Sequence, residues 1–395
     1  MKRLLTFAIA IVSTISIAAQ NNQKDSINNP KNQINGAQRI LNGNINTKGV
    51  SVGGYGELIY NKVSDNNAVL DVKRLVLFFG YKFDERTQFI TEVEFEHVNE
   101  LFVEQAFLQY SLNDNVNLRA GLMLIPMGIV NEYHEPTTFN GVERPSMDNA
   151  IVPTTWREMG IGVSGRYNEA SLRYQAYIFN GFKSVESNEA GTITAGLIGG
   201  RAGLRGGKQK GIQSTFNNAN FATKIDYYGL PGLRLGLSGY LGRTQSPADV
   251  EDLSGADVGI SMIGLDARYA YQRFTARGQF VHASLSDTNA YNIATGSDLG
   301  SALQGYYVEA AYNLLPQTKR QQLFGFVRYE DYDTHASVEG NLTKNNSFDR
   351  HEWTFGLSYQ IASGAVIKGD YQLKDNAVIG GATINQLNFG IGVWF

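Results

Sequence analysis

The chain has 395 residues, with 34 Lys plus Arg against 37 Asp plus Glu, a formal net charge of −3 and no cysteine. That balance argues against a nucleic-acid partner, and the missing thiols exclude a disulfide scaffold and a lipid-anchored lipoprotein. With 43 Gly, 21 Tyr and 21 Phe against 8 Pro, the composition favours sheet and tight turns over helix.

Residues 1–19 join a basic end, Lys2 and Arg3, to an apolar run from Leu4 to Ile17 and the small pair Ala18 and Ala19. This is the layout of a secretory signal peptide cleaved between Ala18 and Asn21, and its apolar run is too short for a membrane-spanning helix. Residues 20–48, rich in Asn, Gln and Lys, are expected to form a disordered periplasmic leader. Beyond the signal no window holds the roughly 18 apolar residues of a helical span, so membrane residence has to come from strands.

From residue 49 onward the dominant period is two. It predicts strands over 50–61, 69–83, 87–97, 101–112, 115–125, 156–167, 170–180 and 219–228. The series continues over 232–243, 258–271, 273–284, 303–314, 321–332, 350–361, 364–374 and 384–395. Sixteen is an even number, as closure with both ends in the periplasm requires, and most of these runs are long enough to cross a bilayer at a tilt of about 45°. Tight turns such as Asn113-Asp114, Asn168-Glu169 and Leu230-Pro231 alternate with long links such as 126–155 and 181–218. The expectation for 49–395 is therefore all-β, a 16-stranded antiparallel transmembrane β-barrel in the bacterial outer membrane, facing lipid outside and water inside.

The last strand sets the parity. Leu387, Phe389, Ile391, Val393 and Phe395 share one face, and Asn388, Gly390, Gly392 and Trp394 share the other. Carried back along the chain, this parity puts an aromatic near the periplasmic, lipid-facing end of every even strand: Tyr81 and Phe83, Tyr110, Tyr167, Tyr227, Tyr269 and Tyr271, Tyr312, Tyr359 and Phe395. The C-terminal Phe395 resembles the signal by which the barrel-assembly machinery recognises its clients.

Sixteen strands leave a channel rather than a filled interior, so function lies on the inward face. Parity assigns to it a basic wall of Arg119, Arg166, Arg173, Lys224, Arg234, Arg268 and Arg277, one cation on each of seven adjacent strands. An acidic wall comes from Glu92, Glu94 and Glu96 on the third strand and Glu309, Glu330 and Glu352 on the twelfth to fourteenth. Bases and acids are roughly balanced overall, which implies broad specificity with at most a mild anion preference.

The link 126–155 contains four prolines, Pro126, Pro136, Pro145 and Pro153, together with aromatics and charges that give it internal contacts. Its Glu143-Arg144-Pro145 and Pro153, followed by Arg157 and Gly160-Ile161-Gly162, are similar to the constriction segment of the phosphate-selective porin O/P family. Lys73-Arg74-Leu75-Val76-Leu77 and Glu92-Val93-Glu94-Phe95 likewise resemble that family's second and third strands. The resemblance implies an inward-folded constriction loop with Glu132, His134, Glu135, Glu143, Arg144 and Asp148 at the aperture, and Arg157 and Glu158 at its return. An ion pair of Glu143 with Arg144 that pins the loop to the wall is an equal alternative. The resemblance also implies a homotrimer through which small hydrophilic solutes or anions diffuse passively. In place of the family's lysine-bearing segment after the fifth strand stands Gly121-Leu122-Met123-Leu124-Ile125-Pro126, which argues against phosphate selectivity. A structural barrel with an obstructed lumen, its outer loops binding a partner, is the alternative function.

Other signals carry less. Gly160-Ile161-Gly162-Val163-Ser164-Gly165 has nucleotide-loop spacing but sits in a strand with no helix after it. His97, His134, His282, His335 and His351 show no metal-ligand spacing, and the loop from Asp287 to Asp298 lacks that of a calcium loop. No cofactor, metal or enzymatic activity is expected.

Overall fold

The computed structural model describes residues 35–43, 49–188, 192–246 and 255–395. The expected signal peptide and most of the leader lie outside these residues. The barrel strands are β1 (Gly49–Val63), β2 (Ala68–Lys82), β3 (Thr87–Glu96), β4 (Glu100–Asn113), β5 (Val116–Leu124), β6 (Arg157–Tyr167) and β7 (Leu172–Phe179). After β7 a short hairpin, β8 (Val185–Ser187) with β9 (Ile193–Gly196), stands apart from the barrel. The barrel resumes with β10 (Asn220–Tyr227), β11 (Leu233–Arg243), β12 (Gly259–Tyr271), β13 (Phe274–Ser286) and β14 (Ala302–Asn313). It ends with β15 (Gln322–Ser337), β16 (Asp349–Ala362), β17 (Ala365–Asn376) and β18 (Ile384–Trp394). Sixteen of these strands close one antiparallel barrel, β18 pairing with β1 in the register Tyr55↔Trp394.

Every expected strand is present, because lipid on one side and protein or water on the other enforces alternation along each run. In β18, Leu387, Phe389 and Ile391 are exposed while Asn388, Gly390 and Gly392 are buried. The periplasmic aromatics follow the same parity: Tyr81, Tyr110, Tyr167, Tyr312 and Tyr359 are all exposed on the outer face. Phe395 continues the β18 ladder one step, exchanging both backbone hydrogen bonds with Gly54 at 2.9 Å.

Two features depart from expectation. The leader is not wholly disordered: Gly36–Gly43 forms a helix, α1. Asn35 and Gln38 cap it reciprocally, Asn35 Oδ1 accepting the Gln38 N–H at 2.9 Å and Gln38 Oε1 the Asn35 N–H at 3.3 Å. Its Ala37 and Ile40 are buried in one cluster with Tyr55, Phe78 and Ile90, so the floor this segment needs is the inner face of β1–β3.

The second departure is the interior, which is not uniformly polar. Along β12 the inward residues run Ile260, Met262, Gly264, Asp266, Arg268, apolar toward the outside and charged toward the periplasm. β13 mirrors this with Arg277, Gln279, Val281, Ala283, Leu285. The outer apolar half packs against Met127, Ile129, Val130, Ile151, Val152 and Trp156 of the long link, and against Phe182, Val185, Ile198 and Leu204 of the next. The ring of Trp156 stacks on Phe182 at 4.5 Å.

Candidate functional site

Residues 126–155 lie against the inward side chains of strands all around the barrel. Asn131 closes the base of this inner loop. Its Nδ2 donates to the carbonyls of Ile125 (2.7 Å) and Trp156 (2.9 Å), and its Oδ1 accepts the Trp156 N–H at 2.7 Å. Farther along, the Ile129 N–H donates to Gln279 Oε1 at 2.6 Å, and Lys224 Nζ donates to the Gly128 carbonyl. On the far wall the Val142 N–H meets Asp370 (2.6 Å), Ser146 Oγ meets Glu352 (2.8 Å) and the Met147 N–H meets Glu330 (3.1 Å). Gly392 of β18 gives the loop room, since a Cβ there would stand 2.7 Å from Pro136.

These contacts recast the expected acidic wall. Glu330 and Glu352 hold the loop, while Glu309 accepts from Asn140 at 2.8 Å and pairs with Arg277 at 2.9 Å. Arg328, not singled out in the sequence, bridges Glu309 and Glu330. Glu92 lies beneath His134, Glu94 is 3.9 Å from Arg74, and Glu96 is half-buried beside His97.

The expected basic wall is also not bare. Asp226 and Asp266, two residues from Lys224 and Arg268 and so on the same face, are part of the overall balance of charges in the sequence but not of either named wall. Asp226 takes Arg234 at 2.7 Å and Arg268 at 3.4 Å, and Asp266 takes Lys224 at 3.2 Å. Glu132 of the loop adds Arg173 at 3.2 Å and Lys224 at 3.7 Å. Burial would raise the Glu132 carboxyl, but Arg173 and Lys224 outweigh it and hold it below its ordinary range. Tyr133 inserts among Arg173, Arg234 and Arg268, receiving a 2.7 Å bond from Arg173 and facing the other two guanidinium groups at 5.5 and 4.8 Å. Arg119 bonds Gln109 at 2.8 Å, and Arg166 is exposed near the end of β6. The wall therefore grips the inner loop from below.

The remaining loop residues divide. Glu135 accepts the Gly36 N–H of α1. Glu158 accepts from Asn180 at 2.8 Å and from the Gln209 N–H at 3.2 Å. Glu143 does not pair with Arg144: it accepts from Asn61 Nδ2 at 2.7 Å, while Arg144 donates to the His134 carbonyl at 3.3 Å. Both residues nonetheless line a cavity of about 360 Å³ between the inner loop and β1–β4. Eight basic side chains face it: Lys73, Arg74 and Lys374 from strands, Arg144 and Arg157 from the loop and its return, and Arg205, Lys208 and Lys210 from the following link. Four carboxylates oppose them, Glu57, Glu94, Glu96 and Glu143. Arg74 is spoken for by Glu57 at 2.7 Å and Arg157 by Glu104 at 3.3 Å. Burial, and then the neighbouring charges of Arg205, Lys210 and Arg157, push Lys208 well below its ordinary value. Whether Lys208 and Lys210 of the link 181–218 enter the mouth as a basic funnel is open in the sequence, because a loop has no parity to place them.

Asp148, on the single-turn helix α2 (Met147–Ala150), is fully enclosed and accepts from Gln279 at 2.7 Å. Burial lifts its carboxyl from 3.8 to about 7, against the pull of Gln279, Arg277 and Arg328. The folded chain thus keeps a proton that the unfolded chain releases near pH 3.8, and stability falls as pH rises from there to about 7, then levels. Asp148→Asn is expected to remove this slope, leaving the variant at least as heat-resistant as the parent at pH 8. Unfolding midpoints of the detergent-solubilised barrel at pH 4 and pH 8 test it, and equal slopes in both proteins would rule Asp148 out as the source.

A closed sixteen-stranded barrel with an apolar belt, and a folded loop and a charged cavity inside it, defines an outer-membrane channel of the porin class. The chain belongs to the phosphate-selective porin O and P family, whose model matches residues 45–375. It is thus a bacterial outer-membrane porin, through which small hydrophilic solutes diffuse passively. An uncharacterized protein of Aquifex aeolicus (strain VF5) is 36% identical over 349 residues, covering 83% of this chain and 76% of the relative. Among solved structures, the outer membrane channel DcaP of Acinetobacter baumannii is similar with a TM-score of 0.59 and 12% identity, over 88% of this chain and 97% of that one. The anion-selective porin from Comamonas acidovorans follows at 0.57 and 14%, over 88% and 100%. OmpT of Vibrio cholerae in its trimer form gives 0.54 and 12%, over 89% and 100%. At these identities the structures speak to fold alone.

Proposed function

We propose that this porin conducts small anions in preference to cations, along a path that passes the 360 Å³ cavity. The observation that carries the reading is the excess of eight basic side chains over four carboxylates around that space. A low-dielectric wall focuses such a field and raises the local anion concentration. The inner loop acts as the constriction, with Arg144 and Glu143 on its aperture side and Glu132, Tyr133, Ser146 and Met147 as its anchors. Selectivity then comes from wall charge and free radius, without chemistry or energy coupling. Reversal potentials in planar bilayers under a potassium chloride gradient test this, and a cation-selective reading would reject it.

The dense packing of the inner loop and of residues 192–211 in the outer half favours a second reading, a scaffold barrel with a blocked lumen. Liposome swelling separates the two: uptake of small sugars supports the channel, and impermeable vesicles support the scaffold. Assembly into trimers is proposed with the channel reading. It draws on the trimeric OmpT and on an apolar concavity on the outer face of β15–β18, lined by Phe355, Leu357, Ile367 and Phe389. Recognition of Phe395 by the assembly machinery belongs to the same proposal and draws on its exposure beside the closing strand.

A further inference from the structure

Where the inner loop meets β3 and β4, three side chains far apart in sequence converge: Glu92, Glu104 and His134. The register between the strands places them. Glu92 pairs with Gln105 and Val93 with Val103, so Glu104 is the extra residue of a β-bulge, and it points inward beside Gln105. Bulges re-aim side chains in this way. All three residues are essentially sealed from solvent, at 0%, 0% and 2% exposure.

Each has one atom held from behind and one atom aimed at the others, the aimed Oε1 of Glu92 also accepting the Tyr55 hydroxyl at 3.3 Å. Gln105 Nε2 donates to Glu92 Oε2 at 2.6 Å, and Thr155 Oγ1 donates to Glu104 Oε1 at 2.6 Å. His134 Nδ1 lies 3.1 Å from the Asn131 carbonyl, which only accepts, so Nδ1 carries a proton. His134 Nε2 then faces Glu104 Oε2 at 3.3 Å and Glu92 Oε1 at 3.5 Å. Both Nε2 and Glu104 Oε2 are buried without a hydrogen-bond partner. An Nε2 edge directed at two buried carboxylates calls for a positive charge between them, which either a proton on Nε2 or a metal ion supplies. The two separations from Nε2 suit a metal, since ligand atoms about 2.0–2.1 Å from a tetrahedral Zn²⁺ are about 3.3–3.4 Å apart, and the two carboxylate oxygens lie within 4.8 Å of each other. An imidazole with its far N–H fixed by a carbonyl, and carboxylates fixed by outer donors, is the outer-shell pattern of such centres.

We infer that Glu92 Oε1, Glu104 Oε2 and His134 Nε2 form a binding site for a divalent transition metal of the Zn²⁺ type, which staples the inner loop to the β3–β4 wall. One imidazole with two carboxylates suits Zn²⁺ better than Mg²⁺ or Ca²⁺, which take oxygen ligands alone. The site does not depend on what the channel conducts.

The test uses untagged, folded protein in detergent, stripped with a chelator and titrated with zinc chloride. One Zn²⁺ per chain is expected by elemental analysis, and Co²⁺ in its place should give the visible absorption of a four-coordinate site. Glu104→Gln keeps the shape and the Thr155 contact and should weaken Zn²⁺ at least 100-fold, while Thr155→Val should weaken it roughly 10- to 100-fold. His134→Gln should abolish the Co²⁺ spectrum. Should that variant fail to fold, the Glu104→Gln titration decides alone. Stripped, folded parent protein that takes up no stoichiometric Zn²⁺, or a Glu104→Gln protein that binds as tightly as the parent, overturns the inference.

Discussion

Replacing Arg205, Lys208 and Lys210 together with glutamine is expected to move the permeability ratio toward cations by about fivefold or more. A unit charge about 4 Å from a passing ion is worth about 1 kcal/mol even at the dielectric of water, or roughly a fivefold change in occupancy. These three side chains face the cavity without strong ion pairs, whereas Arg74 and Arg157 are held by Glu57 and Glu104. Arg205 and Lys210 are therefore the main part of the field that a permeating anion can use, Lys208 adding only the charge it keeps against its burial. The shift should be largest in dilute salt and shrink toward 1 M, where screening falls to about 3 Å. Reversal potentials at two salt concentrations measure it. An unchanged ratio at both would move the selectivity determinant elsewhere in the barrel.

Asn131→Ala is expected to destabilise the folded barrel by about 1–3 kcal/mol, the cost of one stranded buried polar group. The side chain satisfies the Trp156 N–H and adds a second bond to the Ile125 and Trp156 carbonyls, which also accept the Met127 and Ile125 N–H groups, all out of reach of solvent. Its loss should also loosen the inner loop and raise open-channel noise. Asn131→Asp, which keeps an acceptor for the Trp156 N–H but loses both donated bonds, should fall between. Thermal unfolding of the detergent-solubilised proteins gives the ranking. An alanine variant within about 0.5 kcal/mol of the parent would show that the loop is closed by its apolar contacts instead.

The strands are legible because lipid on one face and protein or water on the other enforce alternation along nearly all of each run. Leu387, Phe389 and Ile391 read directly as an outer face, and the aromatic girdle repeated the test strand after strand. The inner surface was half legible. Parity places Lys224, Arg268 and Glu309 on the inner face, yet not which charges meet, so that Asp226 and Asp266 quench part of the basic wall is visible only in the fold. The bulge at Glu104 breaks parity locally, and so a strict period of two would turn that carboxylate toward lipid. Residues 205–210 and His134 reach their places through loop folding, for which the sequence has no period. Ala37, Ile40 and Leu41 did carry a helical spacing, but the surrounding Asn and Gln concealed it and their partners lie on β1–β3.

The position of α1 bears on the order of assembly. Its floor includes Tyr55 and Phe78, and Arg39 lies over the Trp394 ring at 4.9 Å, while Trp394 is itself seated only when β18 pairs with β1. The complete docking surface exists only once the first and last strands have met. Docking of the N-terminal helix is thus a late event that reports a sealed seam. A barrel stalled with its ends apart would leave that helix undocked, so limited proteolysis of the purified protein would tell finished molecules from unfinished ones.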